Sequence, residues 1–319
     1  MVVAELHHRL ITTVDELVDP FASARMQPKV LRPGAMRAEL VRLDADGMLV
    51  DVGAYSFPVA TRGESLEGRV TFVTPLRLST ARLNGEALSP TALYAYGEAA
   101  EVRGATSDPT SLGIVSLPLA ALERTAVALG VDVDLPGRGA FRPVRTIAQR
   151  RLHQLFGALL RSARAAPGAS LDDHAVGFIN DTVAEIVVRS FERGAASRPR
   201  PRRTLDSMRI TRVCEEYAEA TRYQDVTLTK LCAASGFGER RVREAFYECY
   251  GMSPTAYLRV AALYRVRSAV LEQRATSATV SRAATDYGFW HLGRFAAQYR
   301  ALFGELPSET VADRPPVAG

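Results

Sequence analysis

Between Met36 and Val133 apolar residues come in short runs or alternate with polar ones, and Gly, Pro, Asn and Asp separate the runs. The segments Gly47 to Val52, Gly68 to Val73, Leu76 to Leu83, Ala92 to Tyr96 and Ser111 to Leu117 predict strands. Regular short strands with turn signals point to a small β-barrel or sandwich, cupin-like in its layout. The period then changes. Val144, Ala148, Leu152, Leu155, Phe156 and Leu159 recur at helical spacing, and Pro167-Gly168 ends the run. A second helix is expected after Asp172 and Asp173, with Val176, Ile179, Val183, Ile186, Val187 and Phe191 on one face. The pair forms a helical hairpin whose stripes pack on the barrel, on each other, or on a second copy of the chain.

Residues 194–204 hold two prolines and four arginines among small residues, which cannot build a core. They divide the chain into residues 1–193, a linker at 194–204, and residues 205–311. The fold class expected is therefore α+β, with an N-terminal β-barrel and hairpin followed by an all-α domain.

Beyond the linker one pattern appears twice. Gly236-Phe237 recurs as Gly288-Phe289, 52 residues on, while Phe246, Gly251 and Pro254 recur as Tyr299, Gly304 and Pro307, 53 residues on. Each copy reads as a helix–turn–helix. In the first, Thr227 is the expected N-cap, Leu228, Leu231 and Cys232 form an apolar stripe, and Gly236 makes the turn, where positive φ or close backbone approach is needed. Val242, Ala245, Phe246 and Cys249 then face inward, with Arg240, Arg243, Glu244 and Tyr247 on the opposite face. In the second copy Phe295, Tyr299 and Phe303 face inward, and His291, Arg294, Ala297, Gln298 and Arg300 outward. Leu292, Gly293, Ala296 and Ala297 make this second face less polar, suited to thymine methyl groups. Between the copies Ser253-Pro254 opens a helix running to about Glu272. At ~1.5 Å per residue it spans ~27 Å, near the ~34–36 Å that separates successive major-groove faces on one side of a duplex.

Charge sharpens this division. The 319 residues carry a net +5, but residues 1–197 have 21 Lys and Arg against 22 Asp and Glu, whereas residues 198–311 have 18 against 12. Clustered cations are what counterion release from a phosphate backbone requires. No run of ~18 apolar residues predicts a membrane span, and the N-terminus lacks a basic-then-apolar leader pattern. Cys214, Cys232 and Cys249 suit neither a zinc site nor a disulfide framework. The expectation is a cytoplasmic chain with no metal and no cofactor.

Residues 205–310, and the string from Tyr287 to Thr310 above all, resemble the DNA-binding domain of the AraC/XylS transcriptional regulators. The resemblance implies a double helix-turn-helix, promoter DNA and RNA polymerase as partners, and an N-terminal domain that binds a small-molecule effector and forms a homodimer. It makes Arg240, Arg243, Glu244, Tyr247, His291, Arg294, Gln298 and Arg300 the DNA-binding candidates, and the chain an activator rather than an enzyme. Arg222, Lys230, Arg282 and Arg300 are phosphate candidates, while Arg241 lies off the reading face and is expected at phosphate or in solvent. Trp290 is expected to pack or wedge against the backbone. The effector's identity is open. Phe57, Phe72, Tyr94 and Tyr96 are candidate pocket walls, each better read as ordinary core. Two alternatives stand beside this reading. DNA-repair methyl acceptors carry similar helical units but need a reactive cysteine, and none of the three lies in the N-terminal two-thirds. An interaction module that has lost DNA affinity would suit the alanines of the second face.

Overall fold

The computed structural model describes residues 4–17, 21–32, 34–77, 80–107, 109–145, 149–193, 202–272 and 277–312. The chain divides into two compact units, one of residues Met1–Pro28 and Met36–Pro201, the other of Lys29–Ala35 and Arg202–Gly319. Of the expected linker, residues 194–201 lie outside the described residues, and residues 202–204 already belong to a helix.

The first unit follows the order β1 (Ala4–Ile11), β2 (Ala24–Val30), β3 (Ala38–Ala45), β4 (Met48–Tyr55), β5 (Val59–Ser65), β6 (Arg69–Arg77), β7 (Ala81–Leu83), β8 (Glu86–Ala87), β9 (Ala92–Tyr96), β10 (Glu101–Thr106), β11 (Thr110–Pro118), α1 (Leu119–Leu129), β12 (Phe141–Arg145), α2 (Gln149–Ala165), β13 (Ser170–Leu171) and α3 (Asp173–Ser190). Its strands form two open sheets, of order β12-β9-β6-β11-β4-β3-β1-β13 and β2-β5-β10-β7-β8. Among the described residues no ladder closes either sheet into a barrel.

Strand alternation sorts the larger sheet's side chains into two cores. Val70 and Phe72 of β6, Leu93 and Ala95 of β9, and Val115 and Leu117 of β11 join a cluster with Leu122 of α1, Phe156 of α2 and Val183 of α3. Their neighbours Val73, Tyr94, Tyr96, Leu112 and Ile114 point the other way and meet Leu83 and Val102 of the smaller sheet. Helices thus cover one face of the central strands and the second sheet covers the other. The apolar stripes of the hairpin are spent on this packing: Leu152, Phe156, Val176, Ile179 and Val187 are all buried. This division also separates the candidate pocket walls. Phe72 lies in the helix-side core and Tyr94 and Tyr96 in the inter-sheet core, while Phe57 sits edge-on to Tyr55 at 6.0 Å.

Two sequence expectations are corrected. Strands do not continue to Val133, because Leu119–Leu129 is helical and stops at Gly130 in the left-handed region. Val144, taken as the first residue of the hairpin stripe, lies in β12 and pairs with Leu93. The expected cap of the second hairpin helix is present, with Asp172 accepting from the Ala175 N–H at 2.8 Å.

Close approach makes one glycine of the central strand decisive. A Cβ on Gly113 of β11 would stand 2.4 Å from the ring of Phe156, itself fully buried. Gly113→Ala is therefore expected to cost ~1–3 kcal/mol through overpacking. The check is the urea midpoint of the N-terminal unit, and an unchanged midpoint would contradict the packing of α2 on β11.

The second unit contains α4 (Arg202–Ala220), α5 (Leu228–Ser235), α6 (Glu239–Tyr250), α7 (Pro254–Glu272), α8 (Ser277–Asp286), α9 (Leu292–Phe303) and α10 (Pro307–Ala312). No helix among the described residues is long and apolar enough to cross a membrane.

Candidate nucleic-acid interface

The repeat read in the sequence is a repeat of structure. Helices α6 and α9 have the same length and start 53 residues apart, and α4 and α7 start 52 apart. Each unit is a long leading helix, a short helix, a tight turn and a second helix. Both turns use glycine in the left-handed region, Gly236 at φ 74° and Gly288 at φ 81°. Gly288 is doubly constrained, since a Cβ there would lie 2.7 Å from the Tyr223 carbonyl oxygen. Thr227 caps α5 by accepting from the Lys230 N–H at 3.3 Å. The two Gly-Phe phenylalanines differ: Phe289 is buried, whereas Phe237 is only half-buried.

Inward residues of α6 and α9 anchor each helix. Val242, Ala245, Phe246 and Cys249 are fully buried, as are Phe295 and Tyr299 to within 2%. Tyr250 stacks on Tyr257 of α7 with centroids 4.0 Å apart, and its hydroxyl donates to Glu215 of α4 at 2.5 Å. In the second unit Arg267 of α7, the repeat counterpart of Glu215, donates to the Tyr299 hydroxyl at 3.0 Å, to Glu305 at 2.7 Å and to Thr310 at 3.3 Å. One position of the leading helix thus engages a tyrosine of the following helix in both copies, with opposite charge.

The outward faces carry the DNA-binding candidates. On α6 the Arg240 side chain is 93% exposed and its Nε donates to Glu244 at 2.9 Å. Arg243 lies 3.7 Å from Glu239, and Tyr247 is 53% exposed. On α9 Arg294 and Arg300 are exposed, and His291 occupies the N-cap position without a side-chain cap bond. Gln298 is half-buried, its side-chain oxygen accepting from Arg259 Nε of α7 at 3.0 Å. Trp290 is 65% exposed rather than packed, beside Leu292 at 42%. Of the phosphate candidates, Arg222 and Arg282 are exposed, while Lys230 is paired with Asp225.

Counterpart positions explain why the two faces differ. Arg240, Arg243 and Glu244 correspond to Gly293, Ala296 and Ala297. Arg294 corresponds to Arg241, and here an expectation is corrected. Arg241 is not a solvent residue: it donates to Ser207 Oγ of α4 at 2.5 Å and lies 3.5 Å from Glu248. The counterpart of Glu248 is Ala301, so α9 offers Arg294 no such carboxylate.

Arg259 and Arg267 were missed because the pattern of α7 marks it only as an apolar rod, and a charge inside such a helix was the available signal; Glu215 of α4 was missed because its partner Tyr250 lies 35 residues away. Arg259 also stacks 3.8 Å from the Phe289 ring centroid, and burial, then the charge of Arg294, lowers its pKa.

Burial pushes Cys214 up to about 12 and raises Cys232 too, the opposite of an activated cysteine. Among the described residues no group of three or more His, Cys, Asp or Glu side chains is placed to hold a metal ion.

Residues 231–313 match a family model described as a helix-turn-helix domain. The chain is 27% identical over 205 residues to the XylDLEGF operon transcriptional activator 1 of Pseudomonas putida, covering 62% of this chain and 60% of that protein. It is 34% identical over 99 residues to XylDLEGF operon transcriptional activator 3 of the same organism, covering 31% and 30%. The chain spans between 51% and 60% of the length of the first three such relatives. Among solved structures, a probable AraC family transcriptional regulator from Rhodopseudomonas palustris is 42% identical over 33% of this chain and 98% of that one, with a TM-score of 0.29.

Proposed function

Since the C-terminal third of this chain is a helix-turn-helix domain of the AraC/XylS type, we propose that the whole protein is a sequence-specific transcriptional activator that binds promoter DNA and answers to a small molecule. The observation that carries this reading is the repeat itself, in which α6 and α9 lie in 53-residue register and both expose arginines on the face away from their core. A helix pair of this kind inserts its second helix into the major groove, and one chain with two such helices reads an asymmetric site.

Base reading falls to Arg240, Arg243, Glu244 and Tyr247 on α6 and to Arg294 and Gln298 on α9, with His291 and Arg300 at the backbone. The relatives' names call them operon activators, which supports RNA polymerase as a partner and the cytoplasm as the site of action. The effector is assigned to the N-terminal unit, within the sandwich that takes the place of the expected cupin-like barrel. A homodimer through the α2–α3 hairpin is retained, with Phe178, 67% exposed on α3, as its apolar contact. An interaction module without DNA affinity is favoured by the alanines of the second face and by the exposed Trp290 and Leu292.

The test is a gel shift of the full chain on its own promoter fragment across a salt series. Binding should weaken steeply with salt, and Arg282→Ala should weaken all sequences alike while lowering the salt slope by about one unit. Absence of any shift at low salt would refute the proposal and favour the interaction module.

A further inference from the structure

Gln298 of α9 is bonded to Arg259 of the leading helix α7. A guanidinium only donates, so the Gln298 atom that faces Arg259 Nε at 3.0 Å is the amide oxygen. A free glutamine reads adenine through two bonds, its oxygen accepting from the adenine N6 amino group and its NH2 donating to N7. Here the oxygen is already directed at Arg259, and the guanidinium is fixed in turn by stacking 3.8 Å from the Phe289 centroid. Phe289 is itself buried at the turn before α9, so the donor does not swing away readily.

Resting on the proposed DNA-binding function, we propose that Arg259 is a specificity-positioning residue, which turns Gln298 from a bidentate adenine reader into a donor-only reader. With its oxygen held toward Arg259 rather than turned to a base, Gln298 recognises through its NH2 any base that offers an acceptor: N7 or O6 of guanine, O4 of thymine, N7 of adenine. The adenine N6 amino group gains nothing from it. Arg259 lies on the leading helix α7, outside either reading helix, and acts through Gln298. The first unit has no equivalent, because the counterparts of Arg259 and Gln298 are Ser207 and Ala245.

The experiment is selection of bound sites from a random duplex library by the full chain, by Arg259→Met, and by Arg259→Met combined with Gln298→Ala. Methionine keeps an unbranched, polarizable side chain over the Phe289 ring while removing the donor. Arg259→Met is expected to gain adenine by about tenfold at a single position, a change of ~1.4 kcal/mol, and the gain should vanish in the double variant. Arg259→Lys, which restores a donor, should return the profile toward that of the unaltered chain. A purely structural role for Arg259 would instead lower affinity for every sequence equally and lower the melting temperature. That result, or an unchanged base profile, overturns the proposal. Failure of the unaltered chain to enrich any motif would overturn the DNA-binding function itself, and this inference with it.

Discussion

Arg267→Met should destabilise the C-terminal unit by about 3 kcal/mol, the lower end of the cost of removing one partner from a buried ion pair. The Arg267 side chain is 7% exposed and that of Glu305 25%, so part of the carboxylate can rehydrate and the upper end is not reached. The guanidinium joins three segments: α7, which carries it, α9 through Tyr299, and α10 through Thr310. It also stands 4.8 Å from the Phe303 ring centroid. Its loss leaves Glu305 and the Tyr299–Thr310 hydroxyl pair, 2.9 Å apart, without their cation. Urea unfolding of the C-terminal unit measures the effect. Adding Glu305→Gln to Arg267→Met should recover part of the loss, because a neutral amide is cheaper than a carboxylate to leave without its cation. A loss below ~1 kcal/mol, within the range of surface pairs, would show that the network contributes no more than an exposed salt bridge.

How far such features can be read in a sequence depends on whether they leave a period. The two helix–turn–helix copies do: Gly236-Phe237 and Gly288-Phe289 mark turns that need glycine, and the apolar spacing after them fixes which side of α6 and α9 is buried. The strands of the N-terminal unit were legible for the same reason, although their closure was not. Alternation shows that β6, β9 and β11 have two faces, but where Val73 and Tyr94 find partners depends on how the smaller sheet, whose strands β7, β8 and β10 flank β9 in the chain without pairing with it, packs across them. Helix α1 was hidden because it begins directly after Pro118 of β11, with no side-chain cap bond to announce it. Arg259 and Arg267 were hidden more deeply. Helix α7 is buried around much of its circumference, with Tyr257, Leu258, Ala261, Ala262, Leu263 and Val266 all inside, so no polar face distinguishes a solvated arginine from a buried one. Arg241 was misplaced because Ser207, its partner on α4, is 34 residues away and no local pattern connects them.

Arg240 and Arg241 are adjacent in sequence and should fail in opposite ways. Arg240→Ala is expected to leave stability within ~0.5 kcal/mol, since its side chain is 93% exposed and its bond to Glu244 is an exposed i,i+4 pair. Its cost falls on recognition, ~1–3 kcal/mol of discrimination at one base pair if the guanidinium reads a guanine edge, with other positions unchanged. Arg241→Ala removes the donor shared by Ser207 and Glu248 between α4 and α6. It should therefore lower the melting temperature and weaken binding to all sequences alike, because α6 is no longer held at a fixed angle on its leading helix. Affinities for a set of single-base operator variants, measured beside thermal melts of both proteins, separate the two outcomes. Equal, sequence-blind losses from both substitutions would mean that Arg240 contacts phosphate, and base reading by the first unit would then rest on Arg243, Glu244 and Tyr247.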